Sequence, residues 1–236
     1  MSELDAPREV PEPSAGELGG AAGEGPEREP KTSLALYHLL KWPIVHPIFR
    51  WYLGGRFYGS DQVPRTGPLV VVSNHASDFD PPIISYCVRR PVAYMAKEEL
   101  FRVPAFARVI SAYGAYPVKR GAADRSAIRA AMARLQEGWA VGVFLQGNRT
   151  ADGRVPDPKL GAALIAHKAQ APILPVCLWG TQAIRQQGSL LSTRPHPVTV
   201  RIGAPIAAPG SHRREELEAV TRQCVDAIHA MHDQGR

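Results

Sequence analysis

Four short apolar runs set the framework of this chain. Leu69 to Val72, behind a Gly-Pro turn, is β-branched and uninterrupted, as in a strand buried on both faces. Pro91 to Ala96, Trp139 to Leu145 and Pro172 to Leu178 have the same character, and Val198 to Ile202 alternates like a late strand. Helical spacing separates them. Pro81 to Val88 reads as a helix with Asp80 at its N-cap and proline at its first position. Glu98 to Ala112 reads as a helix broken near Pro104. Asp124 to Glu137 carries Ile128, Met132 and Leu135 on one face and stops at Gly138. Gly161 to Gln170 follows, and His212 to His232 packs through Leu217, Val220, Val225 and Ile228. Gly114 to Gly121 is an extended run closing on Lys119 and Arg120. Strands alternating with helices predict an α/β fold, a mixed and largely parallel sheet covered by helices on both faces.

Ahead of this body, residues 34 to 58 are crowded with Leu, Ile, Trp, Phe and Tyr but interrupted by Lys41, Arg50, two histidines, Pro43 and Pro47. A bilayer span needs about 20 predominantly apolar residues, so this stretch does not read as one. Two readings stay open: an amphipathic helical segment lying among lipid headgroups, its Trp and Tyr at the boundary and its basic flanks toward phosphate, or a helical hairpin packed on the body.

Residues 1 to 33 are rich in Pro, Gly, Ala and Glu and poor in large apolar side chains, which predicts a disordered tail. The tail holds three basic against eight acidic residues, and the remainder 25 basic against 14 acidic. A basic body suits an anionic partner. Nucleic acid is not expected, because aromatics are not interleaved with the cations outside residues 34 to 58. The expected organisation is therefore a tail (1–33), a membrane-associating segment (34–58) and one α/β domain (59–236), a length sufficient for a single sizeable core. Cys87, Cys177 and Cys224 are widely spaced, which indicates neither a disulfide framework nor a zinc site and suits a reducing cytosol. No secretory signal is visible at the N-terminus.

The strand at Leu69 to Val72 delivers the chain into Asn74-His75-Ala76-Ser77-Asp78-Phe79-Asp80, a polar loop before a helix. Five residues across such a turn let a carboxylate at Asp80 reach the His75 imidazole, fix its tautomer and make it a general base. Spacing alone equally allows Asp80 to cap its helix while His75 is a surface residue.

Asn74, His75, Ser77 and Asp80 resemble the Asn-His-x-Ser-x-x-Asp box of the glycerolipid acyltransferases, the 1-acylglycerol-3-phosphate acyltransferase family. Further blocks of that family appear downstream in order. Lys97 and Leu100 match its Lys-x-x-Leu element, and Gly114, Tyr116 and Arg120 resemble Gly-x-x-Phe-x-x-Arg with relaxed spacing. Phe144, Gly147 and Arg149 match Phe-Pro-Glu-Gly-Thr-Arg-Ser, Thr150 stands for Ser, and Leu145, Gln146 and Asn148 depart from it. Pro175 matches an apolar strand with proline. The resemblance implies an O-acyltransferase with His75 and Asp80 catalytic and with Lys97, Arg120, Gln146, Gly147 and Arg149 on the substrate. It further implies acyl-CoA or acyl-carrier protein as co-substrate, no cofactor and no metal, and a lysophospholipid acceptor, foremost 1-acylglycerol 3-phosphate. The place of action it implies is peripheral, on the cytoplasmic face of the cell membrane. Other lysolipid or glycolipid acceptors, or an inactive lipid-binding protein, are the alternatives.

Overall fold

The computed structural model describes residues 39, 41–118, 125–186 and 196–236; the acidic tail, Lys119 and Arg120 lie outside them. Seven strands form one sheet: β1 (Arg56–Tyr58), β2 (Val70–Ser73), β3 (Val92–Lys97), β4 (Tyr116–Val118), β5 (Ala140–Phe144), β6 (Ile173–Trp179) and β7 (Thr199–Ile202). Their spatial order is β1-β7-β6-β2-β5-β3-β4. Every neighbouring pair is parallel except β6 with β7, so the expected mixed, largely parallel sheet is what forms.

β2 is central and all four of its residues are buried. Val71, with Leu69 before it, faces one core, and Val70 and Val72 face the other, as period-two geometry requires of a strand covered on both sides. Fully burying such a side chain contributes roughly 1.5–3 kcal/mol. The first core lies under α1 (Asp80–Val88), with Ile83, Ile84 and Cys87 against Leu174 and Leu178. The second lies under α3 (Arg125–Gln136), α4 (Gly161–Ala169) and α6 (Arg214–Asp233). α2 (Pro104–Ala112), entered through a 3₁₀ turn at Glu98–Arg102, stands largely outside both, and α5 (Thr181–Gln186) is a short helix after β6.

The segment before the sheet takes two π-helical turns, Lys41–Val45 and Ile48–Tyr52. Phe49 and Leu53 are buried in the first core, and His46 Nδ1 lies 2.7 Å from the hydroxyl of Tyr86 on α1. Lys41 is almost buried over the Trp42 and Tyr86 rings, and burial, then Arg89, holds its ammonium below the usual lysine range. Residues 56–58, expected to close this helical segment, instead form the edge strand β1. No helix among the described residues is long and apolar enough to cross a membrane.

Because β7 runs against β6, β1 does too: Arg56 pairs with Thr199, which pairs with Trp179 at the end of β6. The chain therefore enters the sheet at the end where β2, β5 and β6 finish. At the opposite end Arg90 donates to the carbonyls of Pro64 and Gly67, fastening the turn that leads into β2.

Candidate active site

Ligands of open α/β sheets sit beyond the C-terminal ends of the strands, where neighbouring connections leave for opposite faces. β2 is such a place: α1 leaves it on one face, while β5 and β6, its two neighbours, are joined by α4 on the other. The loop after β2 is pinned by Asn74. Its Nδ2 donates to the carbonyls of Gly153 (2.6 Å) and Leu178 (2.7 Å), and its Oδ1 accepts the Leu178 N–H (2.8 Å).

Read from the sequence as a possible helix cap, Asp80 is the first residue of α1 and makes no cap bond; Phe79 occupies the cap position. Its carboxylate turns back into the loop instead. Oδ2 accepts from His75 Nδ1 (2.8 Å), Ala76 N–H (2.7 Å) and Ser77 N–H (2.8 Å), and Asp80 is fully buried. A carboxylate only accepts, so Nδ1 carries the proton and Nε2 keeps the lone pair. The His75 side chain is 13 % exposed. One nitrogen is left for a ligand.

The loop after β5 closes on the same histidine. The Thr150 N–H and Gln146 Nε2 both donate to the His75 carbonyl, at 2.9 and 3.0 Å. Gln146 is buried and its Oε1 has no hydrogen-bond partner. Its amide thus supports the histidine's backbone, a contact that a carboxylate could make only when protonated. Gly147 takes a left-handed conformation (φ 72°) and gives its N–H to the Phe144 carbonyl at 3.0 Å, so its own contribution is the turn rather than a free donor. Arg149 pairs with the exposed Asp78 of the histidine loop. Lys97 ends β3, exposed, at the same end of the sheet but two strands from β2.

His75, Asp80, Gln146 and Arg149 are thus brought together, Lys97 stands off to the side, and Arg120 lies outside the described residues. The sequence motifs include Asn74 and Phe144 but assign them no role, and nothing in the sequence singles out Asp78. Phe144 stacks on the His75 ring, centroids 3.8 Å apart and planes 14° apart. The three cysteines are buried and free; burial pushes the Cys177 and Cys224 thiols up to about 12 and raises that of Cys87 as well. None is a ready nucleophile near neutral pH.

A parallel-centred α/β sheet with a buried Asp–His pair at its middle strand has a counterpart among known families: residues 55–179, just over half the chain, match the Acyltransferase family model, and the chain belongs to that family. It is similar to the 1-acyl-sn-glycerol-3-phosphate acyltransferase of Borreliella burgdorferi, 32 % identical over 129 residues, which cover 52 % of this chain and 50 % of the relative. The Bacillus subtilis protein of the same name is 30 % identical over 128 residues, covering 54 % and 63 %. The crystal structure of the 1-acyl-sn-glycerophosphate (LPA) acyltransferase PlsC from Thermotoga maritima superposes with a TM-score of 0.71 at 27 % identity, covering 85 % of this chain and 81 % of that one. The matched part spans about half the length of the Borreliella relative.

Proposed function

We propose that the chain transfers a fatty acyl group from an acyl-CoA or acyl-carrier-protein thioester to the free hydroxyl of a lysophospholipid, 1-acylglycerol 3-phosphate foremost. The observation that carries this reading is the His75 Nδ1 to Asp80 bond, which leaves Nε2 basic at the end of the central strand. Nε2 takes the acceptor's hydroxyl proton as that oxygen attacks the thioester carbonyl. The tetrahedral intermediate collapses, the C–S bond breaks, and the leaving thiolate takes the proton back from the imidazolium. Asp80 steadies the imidazolium throughout, and no acyl-enzyme is required. Arg149, tied to the histidine loop through Asp78, serves the acceptor phosphate; Lys97 and Arg120 are proposed to add to it. Purified protein incubated with acyl-CoA and lysophosphatidate should release one free thiol per phosphatidate formed. Thiol release without phosphatidate would make it a thioesterase and overturn the reading.

Asp78 favours a second reading, an acceptor of lower negative charge, because its carboxylate already neutralises Arg149 in part. A panel of lysolipids at fixed thioester separates the two. Replacing Asp78 by Asn frees the guanidinium, and since exposed ion pairs are worth about 0–1 kcal/mol, the KM for a phosphomonoester lysolipid should fall by up to about fivefold. A rise instead would mean that Asp78 orders Arg149 rather than competing for it.

The protein is proposed to act from a lipid surface on the cytoplasmic side. Trp51 is 79 % exposed, and Leu39, Trp42 and Ile44 stand out beside it. On the other side, Leu100, Val103, Phe106 and Val109 form an exposed apolar stripe along the 3₁₀ turn and α2, flanked by Arg102 and Arg108. Both segments attach at the end of the sheet where His75 lies, which suits a bilayer meeting the site. Replacing Trp42 and Trp51 by Ala should weaken co-sedimentation with anionic vesicles at least about tenfold, given the apolar area removed. Replacing Val103 and Phe106 by Ser should weaken it comparably. Unchanged binding in both would remove the lipid-facing assignment.

A further inference from the structure

The Asp80 bond fixes one atom of the His75 ring, but the last torsion of a histidine side chain is broad, so a single bond leaves the plane of the ring underdetermined. Something flat has to set it. Phe144, the last residue of β5, lies face to face with the imidazole, and its other side meets the Tyr94 ring of β3 at 5.3 Å between centroids and 23° between planes. β2, β5 and β3 are consecutive in the sheet, so the three rings form a row across it on the α1 side.

The row has a foundation in the backbone. Tyr94 pairs in register with Gly142, and a Cβ built on Gly142 would stand 2.2 and 2.4 Å from two carbons of the Tyr94 ring. Tyr94 is buried, and the two ring atoms are held by the packed sheet rather than being the far end of a flexible chain. The ring can therefore lie down over position 142, and reach Phe144, only because that position has no side chain.

We infer that Gly142, Tyr94 and Phe144 are positioning residues that set the plane of His75 and so the direction of the Nε2 lone pair. Phe144 lies on the face of the imidazole, away from the in-plane lone pair, and Tyr94 and Gly142 act through it. The inference rests on the reading of His75 as the general base, but it has a readout of its own. The row differs from ordinary core filling in what it tolerates. A core site accepts leucine for phenylalanine at modest cost, whereas a stacking site needs a flat face and accepts tyrosine.

The test is a set of three variants, Phe144→Leu, Phe144→Tyr and Gly142→Ala, followed by steady-state kinetics and by the His75 Hε1 proton resonance, assigned by its loss in His75→Ala. Phe144→Leu and Gly142→Ala are expected to lower kcat by roughly tenfold to a hundredfold, the scale of an ångström-level misplacement, with KM for both substrates within about twofold. Both should move the Hε1 resonance, downfield for Phe144→Leu because the ring above it is gone. Phe144→Tyr should keep kcat and resonance. The inference is overturned if Phe144→Leu retains kcat within about twofold, or if kcat falls in Gly142→Ala, which keeps the Phe144 ring, while the resonance stays in place. Should Phe144→Leu not fold, the contrast between Phe144→Tyr and Gly142→Ala decides in the same way. If the wild-type protein consumes no thioester, the functional reading fails, and the resonance alone decides whether the rings hold the imidazole.

Discussion

His75→Ala is expected to abolish acyl transfer to within a hundredth or less of the wild-type rate while leaving the protein folded. A positioned general base typically contributes 10²- to 10⁴-fold, the acceptor hydroxyl is far too weak an acid to ionise near neutral pH, and of the two carboxylates in the loop after β2, Asp80 is buried on His75 and Asp78 is paired with Arg149. His75 sits in a loop and its ring contributes one stacking contact, so removing it takes little from either core. The measurement is phosphatidate formed at saturating acyl-CoA, with melting temperature as the control for folding. Activity within about tenfold of wild type would remove the histidine from the chemistry. A large drop in melting temperature would instead mean that the loop depends on the ring for its structure.

Substitution of Asp80 separates charge from scaffold. In Asp80→Ala, two buried amides, of Ala76 and Ser77, and the His75 Nδ1–H all lose their acceptor together. Each unsatisfied buried donor costs about 1–3 kcal/mol, so a loss of several kcal/mol and a melting temperature lower by roughly 5–15 °C are expected. Asp80→Asn behaves differently, because all three donors converge on one oxygen and an amide oxygen can take that place. It should lose less stability than Asp80→Ala, because the amide oxygen keeps all three donors and only the new Nδ2, in place of the buried and unpartnered Oδ1, lacks an acceptor. Its turnover should nonetheless fall by 10² or more, because the imidazolium loses its counter-charge; the corresponding exchange in a serine-protease triad costs about 10⁴. Equal destabilisation by the two substitutions would contradict the convergence on Oδ2.

Much of this was legible before any coordinates. The run from Leu69 to Val72 announced a doubly buried strand, and its observed neighbours β5 and β6 came from equally uninterrupted apolar runs. The five-residue separation of His75 and Asp80 suggested the pair, and the pair forms. What stayed hidden has a common cause. The Arg56–Tyr58 strand is three residues long and follows an aromatic helical stretch, so no alternation could reveal it. The six residues of α5 are too few to show a helical period. The Gly142, Tyr94 and Phe144 row depends on β2, β5 and β3 being neighbours, an order that the sequence does not carry, and so does the meeting of Asp78 with Arg149. Asp-Pro before a helix read as a cap, yet three upstream donors outcompeted the helix's own amides for the carboxylate.

The reversal of β1 and β7 bears on how the molecule can be handled. Arg56 enters the sheet beside the end of β6, and α6, which follows β7, finishes with Asp233 paired to Arg154 in the stretch after β5. The end of α6 thus lies on the rim where His75 sits, and a resin or fluorophore coupled through it would crowd the site. The turn at 65–67 lies on the far rim, fastened by Arg90, and Gly67 there has open space around it. Immobilisation through that turn would leave the mouth of the site facing away from the support.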